Sequence, residues 1–241
     1  MRLSIIAVFL LFLCTILASP VTKDCGATGA PGSLHRRGCF GNSDDKNKNR
    51  LFLTLQYRRD APGFHWTLLL APKVESQDSE DKDSHFFPAV NNFTPGMQLA
   101  DGERPPWRYD QREGNVMRSP TMTARILVAK LSTAVPFAQQ VQDIDQILRT
   151  VPIVQNDPGW TCRVWVEHGL AALRATGGDF SSIPDVTEGG ALETQIIGFG
   201  EQGRPTILKR GSGWQHLNEL PQLDLRIRRE RARIILYCIC D

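Results

Sequence analysis

The chain has 241 residues, of which 41% are hydrophobic and 22% are charged. Its 28 lysines and arginines nearly balance 26 acidic residues, giving a formal net charge of +2. A charge this small gives no strong overall field, so we expect neither nucleic acid nor a membrane surface as a partner. The ~190 residues that follow an N-terminal polar region are enough for one compact domain with a sizeable core.

An apolar run at the N-terminus extends from Leu3 to Ala18 and contains no acidic residue. This pattern predicts a secretory signal peptide over residues 1–18. The run is shorter than the 20 or so residues that span a bilayer, and no later segment is apolar enough to do so. The sequence therefore predicts a soluble, secreted chain without a stable membrane anchor.

The cysteines agree with an extracellular compartment, because removal of Cys14 with the signal would leave an odd number, five. Four of them are expected to form disulfides: Cys25, Cys39, Cys238 and Cys240. The pairing stays open, although two bonds between the N-terminal arm and the C-terminal strand are favoured over a local bond from Cys238 to Cys240. Cys162 is then left as a free thiol.

One glycosylation sequon is present, at Asn92-Phe93-Thr94. The surrounding segment is rich in Asn, Pro and Gly, as a surface loop is. Asn92 is therefore a predicted glycosylation site.

After an irregular arm over residues 19–50, the sequence predicts strands that precede and follow a helical middle. In chain order the elements are a strand at 51–57, a strand at 64–70, a strand at 85–90 that Pro88 interrupts or ends, a strand at 125–131, a helix at 137–150, a helix from about Asp157 to Gly177, a helix at 185–202, and one or two strands within 217–239. This order predicts an α+β fold over residues 51–241, in which an antiparallel sheet packs on helices.

Cys162 is predicted to lie close to the start of the helix that runs from about Asp157 to Gly177. Asp157 would be the N-cap of this helix, and Pro158 would occupy its first turn. Apolar residues recur at helical spacing from Cys162 to Leu173, which predicts that the thiol faces the core. A thiol at a helix N-terminus can titrate low and act as a nucleophile, whereas a thiol in an apolar core is inert. Both interpretations remain open from the sequence.

A cysteine nucleophile needs a histidine base, and the chain offers five. His65 is the best candidate, because a helix packed on the face that it shares with Thr67 and Leu69 would bring the imidazole beside Cys162. The alternative is a histidine that is hydrogen-bonded locally at a turn. The remaining histidines are weaker candidates: His35, His85, His168 and His216. No metal-site spacing and no dinucleotide-binding glycine pattern is present, so we predict no metal and no cofactor.

Several motifs occur in order along the chain: Asn49-Arg-Leu-Phe-Leu53, Ala61-Pro-Gly-Phe-His-Trp-Thr-Leu-Leu-Leu-Ala-Pro-Lys73, Trp107-Arg-Tyr109, Arg125-Ile-Leu-Val-Ala-Lys-Leu131 and Val151-Pro-Ile-Val-Gln-Asn-Asp-Pro-Gly-Trp-Thr-Cys-Arg-Val-Trp-Val166. Together they resemble the family of uncharacterised fungal proteins DUF6914, over about residues 49–210. The family implies no established activity.

More remotely, a His-Trp strand followed by a cysteine at a helix start resembles the permuted papain-like group of NlpC/P60 and lecithin retinol acyltransferase proteins. This resemblance implies that His65 is the base and that Cys162 attacks an acyl carbonyl. The group places a further polar residue on the next strand to orient the base, but this chain has Pro88 or Ala89 there. His85 or Asn91 would have to substitute.

Two functions follow from these patterns. The first is a cysteine hydrolase or acyltransferase that acts on an amide or ester in a peptide or lipid. The second is a secreted, non-catalytic interaction or effector-like protein that keeps the same scaffold and binds a protein partner.

Overall fold

The computed structural model describes residues 48–59, 61–78, 80–211 and 213–227. The strands are β1 (Asn49–Tyr57), β2 (Phe64–Ala71), β3 (Ser84–Phe87), β4 (Ala89–Val90), β5 (Arg108–Tyr109), β6 (Arg112–Gly114), β7 (Met122–Leu131) and β8 (Gln222–Asp224). The α-helices are α1 (Phe137–Leu148), α2 (Cys162–Ala175) and α3 (Ala191–Arg210). The predicted α+β class is confirmed.

Six of the strands form one sheet in the order β6-β3-β2-β1-β7-β8, and β4 and β5 form a separate pair. All neighbours in the large sheet are antiparallel except β7 and β8, which are parallel. The first two strands form the predicted hairpin, and its turn contains Gly63 with a φ of 74°, a value that favours glycine. Pro88 separates β3 from β4, as the sequence predicted.

Alternating side chains of the central strands divide the core into two parts, one on each face of the sheet. The face that we call the helix face carries large apolar side chains that pack with α1 and α2: Leu51, Leu53, Leu55, Trp66, Leu68 and Leu70. The other face, which we call the loop face, carries a smaller apolar cluster, in which Phe52, Leu69, Phe86 and Leu127 pack against Val116, Leu217 and Leu220. Both faces of β1 and β2 are therefore buried.

The helix that begins at Cys162 starts later than predicted. Thr161 is its N-cap residue and provides no side-chain cap, so the predicted roles of Asp157 and Pro158 in the first turn are wrong. Asp157 instead accepts a hydrogen bond from the Gly159 N–H at 2.8 Å and so closes the turn that precedes the helix. The predicted C-terminus at Gly177 is confirmed, since this residue has a φ of 76°.

The third helix is displaced relative to the prediction, since it covers Ala191–Arg210 rather than 185–202. It lies close to the sheet at two glycines. A Cβ at Gly200 would lie 2.5 Å from Leu55 Cδ1, and a Cβ at Gly203 would overlap the carbonyl oxygen of Thr123. The absence of these side chains permits the close packing of helix and sheet.

Other predictions differ in extent or lie outside the described residues. The first strand begins at Asn49, so the last two positions of the predicted irregular arm are extended. The signal peptide and all four cysteines expected to form disulfides lie outside the described residues, as does the end of the predicted C-terminal strand region. Among the helices of the described ranges, none has the length and hydropathy needed to cross a membrane.

Candidate functional site

Cys162 is the first residue of α2, and only 2% of its surface is exposed. It belongs to the core cluster of the helix face, together with Trp66, Trp160 and Trp165. The predicted inward position of the thiol is therefore confirmed. Access to the sulfur would require movement of the tryptophans or of the helix start.

Several polar groups act on the thiol despite this burial. The backbone N–H groups of Trp66, Arg163 and Cys162 and the positive charge of Arg58 each act to lower the pKa of the thiol. Trp66 precedes the part of β2 that pairs with β3, which begins at Leu68. Burial nevertheless has the largest effect and raises the pKa of the Cys162 thiol above its ordinary value. The thiol is therefore protonated at neutral pH.

His65 lies on β2 opposite Gln56 of β1. Strand alternation places it with Thr67 and Leu69 on the loop face, whereas Trp66 and the helix that begins at Cys162 belong to the helix face. The expected packing of that helix on the His65 face is therefore not what the structure shows. Burial, and then the charges of Arg58 and Arg112, lower the pKa of His65 to about 4, so the imidazole is neutral at pH 7.

The structure separates His85, one of the two residues expected to orient the base, from His65. His85 pairs with Leu70, which places it on the helix face, so it and His65 extend from opposite faces. Its Nδ1 lies 2.8 Å from Gln111 Nε2 and its Nε2 lies 3.7 Å from a carboxylate oxygen of Glu113. Leu70, the partner of His85, lies four positions beyond Trp66 along β2, a separation of about 13 Å. Asn91 directly follows β4 and is half-buried.

The remaining predicted groups are exposed or lie elsewhere. His168 and His216 are on the surface, and His35 is outside the described residues. Asn92 is exposed, and its side-chain oxygen accepts a hydrogen bond from Arg108 at 2.8 Å. Within the described ranges, His, Cys, Asp and Glu residues form no group of three or more that could hold a metal ion.

Sequence reasoning missed a cluster of three glutamates around one arginine. Glu167 and Glu193 are only 6% and 4% exposed, and Arg163 Nε lies 2.9 Å from Glu193 Oε1. Glu188 approaches the same guanidinium at 3.4 Å, and Glu193 Oε2 accepts a hydrogen bond from the Gly189 N–H. The spacing from Arg163 to Glu167 is typical of an exposed helical ion pair, so the sequence contains no signal that these carboxylates are buried.

Comparison with known proteins identifies the family alone. The family of unknown function DUF6914 matches residues 48–185, a range that ends before α3 and therefore short of the expected residue 210. No curated protein and no solved structure gives a match. The matched region contains β1 to β7, α1, α2 and Cys162. The chain belongs to the family of unknown function DUF6914.

Proposed function

We propose that this chain is a secreted binding protein that performs no catalysis through Cys162. The observation that carries the proposal is the burial of the thiol, which is 2% exposed within the apolar core of the helix face. Burial raises the thiol pKa, and the inert form of a cysteine is the protonated, inaccessible one. Cys162 then has a structural role, as part of the apolar core that it shares with Trp66, Trp160 and Trp165.

The placement of His65 supports the same proposal. A general base must lie within hydrogen-bond reach of the proton that it removes. His65 and Cys162 belong to opposite faces of the sheet, because the strand alternation assigns His65 to the loop face. To reach the Cys162 sulfur, the His65 imidazole would have to move around the edge of β2.

The reactivity of the thiol tests this proposal. Cys162 lies in the tryptic peptide 150–163, which contains no other cysteine, so its alkylation by iodoacetamide can be followed separately by mass spectrometry. Ala171→Cys is the matched control, because position 171 is an exposed site on the same helix. We expect the control thiol to react in the native protein and Cys162 to react only when the protein unfolds. Rapid labelling of native Cys162 would overturn the proposal.

A second candidate function is a cysteine hydrolase or acyltransferase of the permuted papain-like type, which the donors at the sulfur favour. The N–H groups of Trp66 and Arg163 and the charge of Arg58 all lower the thiol pKa, against the larger effect of burial. If the start of α2 opened to water, these groups would stabilise a thiolate that attacks an amide or ester carbonyl.

The same labelling experiment separates the two candidates. For a nucleophile, we expect the labelling rate of native Cys162 to titrate with a midpoint below the pKa of a free thiol. His65→Ala would then raise that midpoint or reduce the rate, and the equivalent change at exposed His168 would not. A native thiol that is unreactive in all these variants excludes this second function.

A further inference from the structure

The loop face contains a cleft of about 300 Å³ beside the end of β1. Its floor includes the ring of Phe86, which is 6% exposed. Gly114 of β6 lies against this ring, since a Cβ there would be only 2.9 Å from Phe86 Cε2. The volume is at the lower limit of typical ligand sites and is suited to a small molecule.

The polar groups around the cleft fall into two sets, which differ in whether they already have partners. Asn115 is fully engaged, because its amide donates to the Asp78 carbonyl and its oxygen accepts from the Met117 N–H. Arg118 forms an ion pair with Glu80. These residues build the wall of the cleft, and their contacts hold the segment after β6 in place.

The second set has no such contacts. Within the described ranges, no hydrogen bond or ion pair is formed by the side chains of Gln56, Lys82, Ser119 and Thr121. These side chains supply an amide, an ammonium group and two hydroxyls, all of which can donate hydrogen bonds. The cleft therefore presents several unused donors above an aromatic floor.

β6 contributes two residues of opposite charge to the lining of this cleft, Arg112 and Glu113. Arg112 pairs with Phe86 and shares its loop face, whereas Glu113 pairs with His85 and extends to the helix face. One guanidinium nitrogen of Arg112 lies 3.1 Å from Asp110 Oδ2, which leaves the other N–H groups available. Arg112 is therefore the charged residue of β6 that shares a face with Phe86, while one oxygen of Glu113 lies 3.7 Å from His85 Nε2. The positive residues that line the cleft, Lys82, Arg112 and Arg118, outnumber this one carboxylate.

Two further observations support a positive potential here. The charge of Arg112 acts on His65, whose pKa it lowers together with burial and Arg58. Asp81 and Asp83, the acidic neighbours of Lys82 in the sequence, both accept hydrogen bonds from Ser76 and do not line the cleft. Their charges are directed away from it.

We propose that this cleft binds a small organic oxyanion, with the carboxylate or phosphate held by Lys82 and Arg112 and the carbon skeleton lying on Phe86. Gln56, Ser119 and Thr121 would complete the hydrogen bonds of the ligand. The inference rests on the proposed binding function and names its ligand class. Charge-assisted hydrogen bonds from Arg and Lys are the usual means by which proteins hold such groups.

A second cavity of about 270 Å³ does not fit this chemistry. It is lined by Asp143 and Asp179, which would repel an anion. Its Gln140 is already engaged, because it donates to two backbone carbonyls and accepts from Asn49. The donor set of the first cleft is therefore not a general property of the surface depressions of this protein.

Titration of the ¹⁵N-labelled full-length protein with benzoate and, separately, with inorganic phosphate tests the proposal. We expect saturable amide shifts at residues 112–119 and 121, with benzoate also shifting Phe86. Lys82→Gln and Arg112→Gln should each weaken binding by about tenfold or more, since each removes one charge-assisted contact. Arg174→Gln is the matched control, because this arginine lies on α2 and pairs with Asp185, and it should leave the affinity unchanged.

The outcomes separate this inference from the proposed function. Binding of benzoate without phosphate assigns a carboxylate ligand, and the reverse result assigns a phosphate; both support an oxyanion site. The inference is overturned if neither anion shifts these residues up to about 10 mM, or if Arg174→Gln weakens binding as much as Arg112→Gln. If either negative result is obtained and Cys162 is unreactive, the oxyanion site is refuted, while the proposal of a non-catalytic binding protein remains.

Discussion

Substitution of Glu167 by glutamine is expected to stabilise the protein at alkaline pH. The carboxyl group is 6% exposed, and its Oε1 has no hydrogen-bond partner within the described ranges. Burial, and then the negative charge of Glu193, raise the pKa of Glu167 to about 7, against a smaller opposing effect of Arg163; Glu188 adds to the increase. Folding therefore disfavours the ionised form of this side chain.

The sign of the pH dependence follows from this direction. The pKa of Glu167 is higher in the folded than in the unfolded protein, so stability falls as the pH rises from about 4.5 towards 7 and is constant above that. The full difference corresponds to about 3 kcal/mol, at about 1.4 kcal/mol per pH unit. We expect about 1–2 kcal/mol, because Arg163 and Glu188 are partly exposed and water screens the cluster.

Urea unfolding at about pH 5 and about pH 8.5 measures this effect as the difference between the two free energies of unfolding. Glu167→Gln should reduce the loss of stability between the two pH values, relative to the unmodified protein, by that amount. Glu201→Gln is the control, since Glu201 is an exposed glutamate on α3, and it should follow the unmodified protein. Identical pH dependence in Glu167→Gln and the unmodified protein would refute the argument.

Two other predictions concern packing and a buried ion pair. Gly203→Ala should destabilise the protein by about 2 kcal/mol or more, because the new Cβ would overlap with the Thr123 carbonyl. Gly198→Ala on the same helix meets no atom within 4 Å and should stabilise the protein by up to about 1 kcal/mol. If thermal unfolding ranks the two variants in the opposite order, the placement of this helix is contradicted. Arg125 and Glu75 are 8% and 4% exposed and 2.6 Å apart, so Glu75→Ala should cost about 3–5 kcal/mol. Arg125→Met with Glu75→Leu should recover most of that loss in urea unfolding, and a double variant no more stable than Glu75→Ala would contradict this explanation.

Most of the large elements could be predicted from the sequence because their residues carry a clear period. Leu51 to Tyr57 is rich in β-formers, and the apolar spacing that begins at Phe137 is helical, so both elements were located to within two residues at each end. The short strands β5 and β6 contain two and three residues, with charged side chains among them. They form because β3 and β4 offer free edges for pairing, so tertiary contacts rather than local propensity determine these strands.

The start of two helices was harder to predict, for different reasons. Asp157 and Pro158 have the residue types of a helix start but form a turn, in which Gly159 N–H binds the Asp157 carboxylate. The third helix contains Pro205 and several glycines, which lower its helix propensity. Tertiary contact at Gly200 and Gly203, where it packs closely on the sheet, stabilises it instead.

The candidate site depended on one choice that local pattern did not determine: which face of β2 the helices cover. Leu68, Leu69 and Leu70 are all fully buried, so the strand is apolar on both faces and its alternation is weak there. The face shared by Trp66, Leu68 and Leu70 is nevertheless the more apolar one, because the other includes His65 and Thr67. Helices bury the larger apolar area when they pack on that first face. The same preference that buries Cys162 therefore assigns His65 to the loop face, where the charge of Arg112 acts on it.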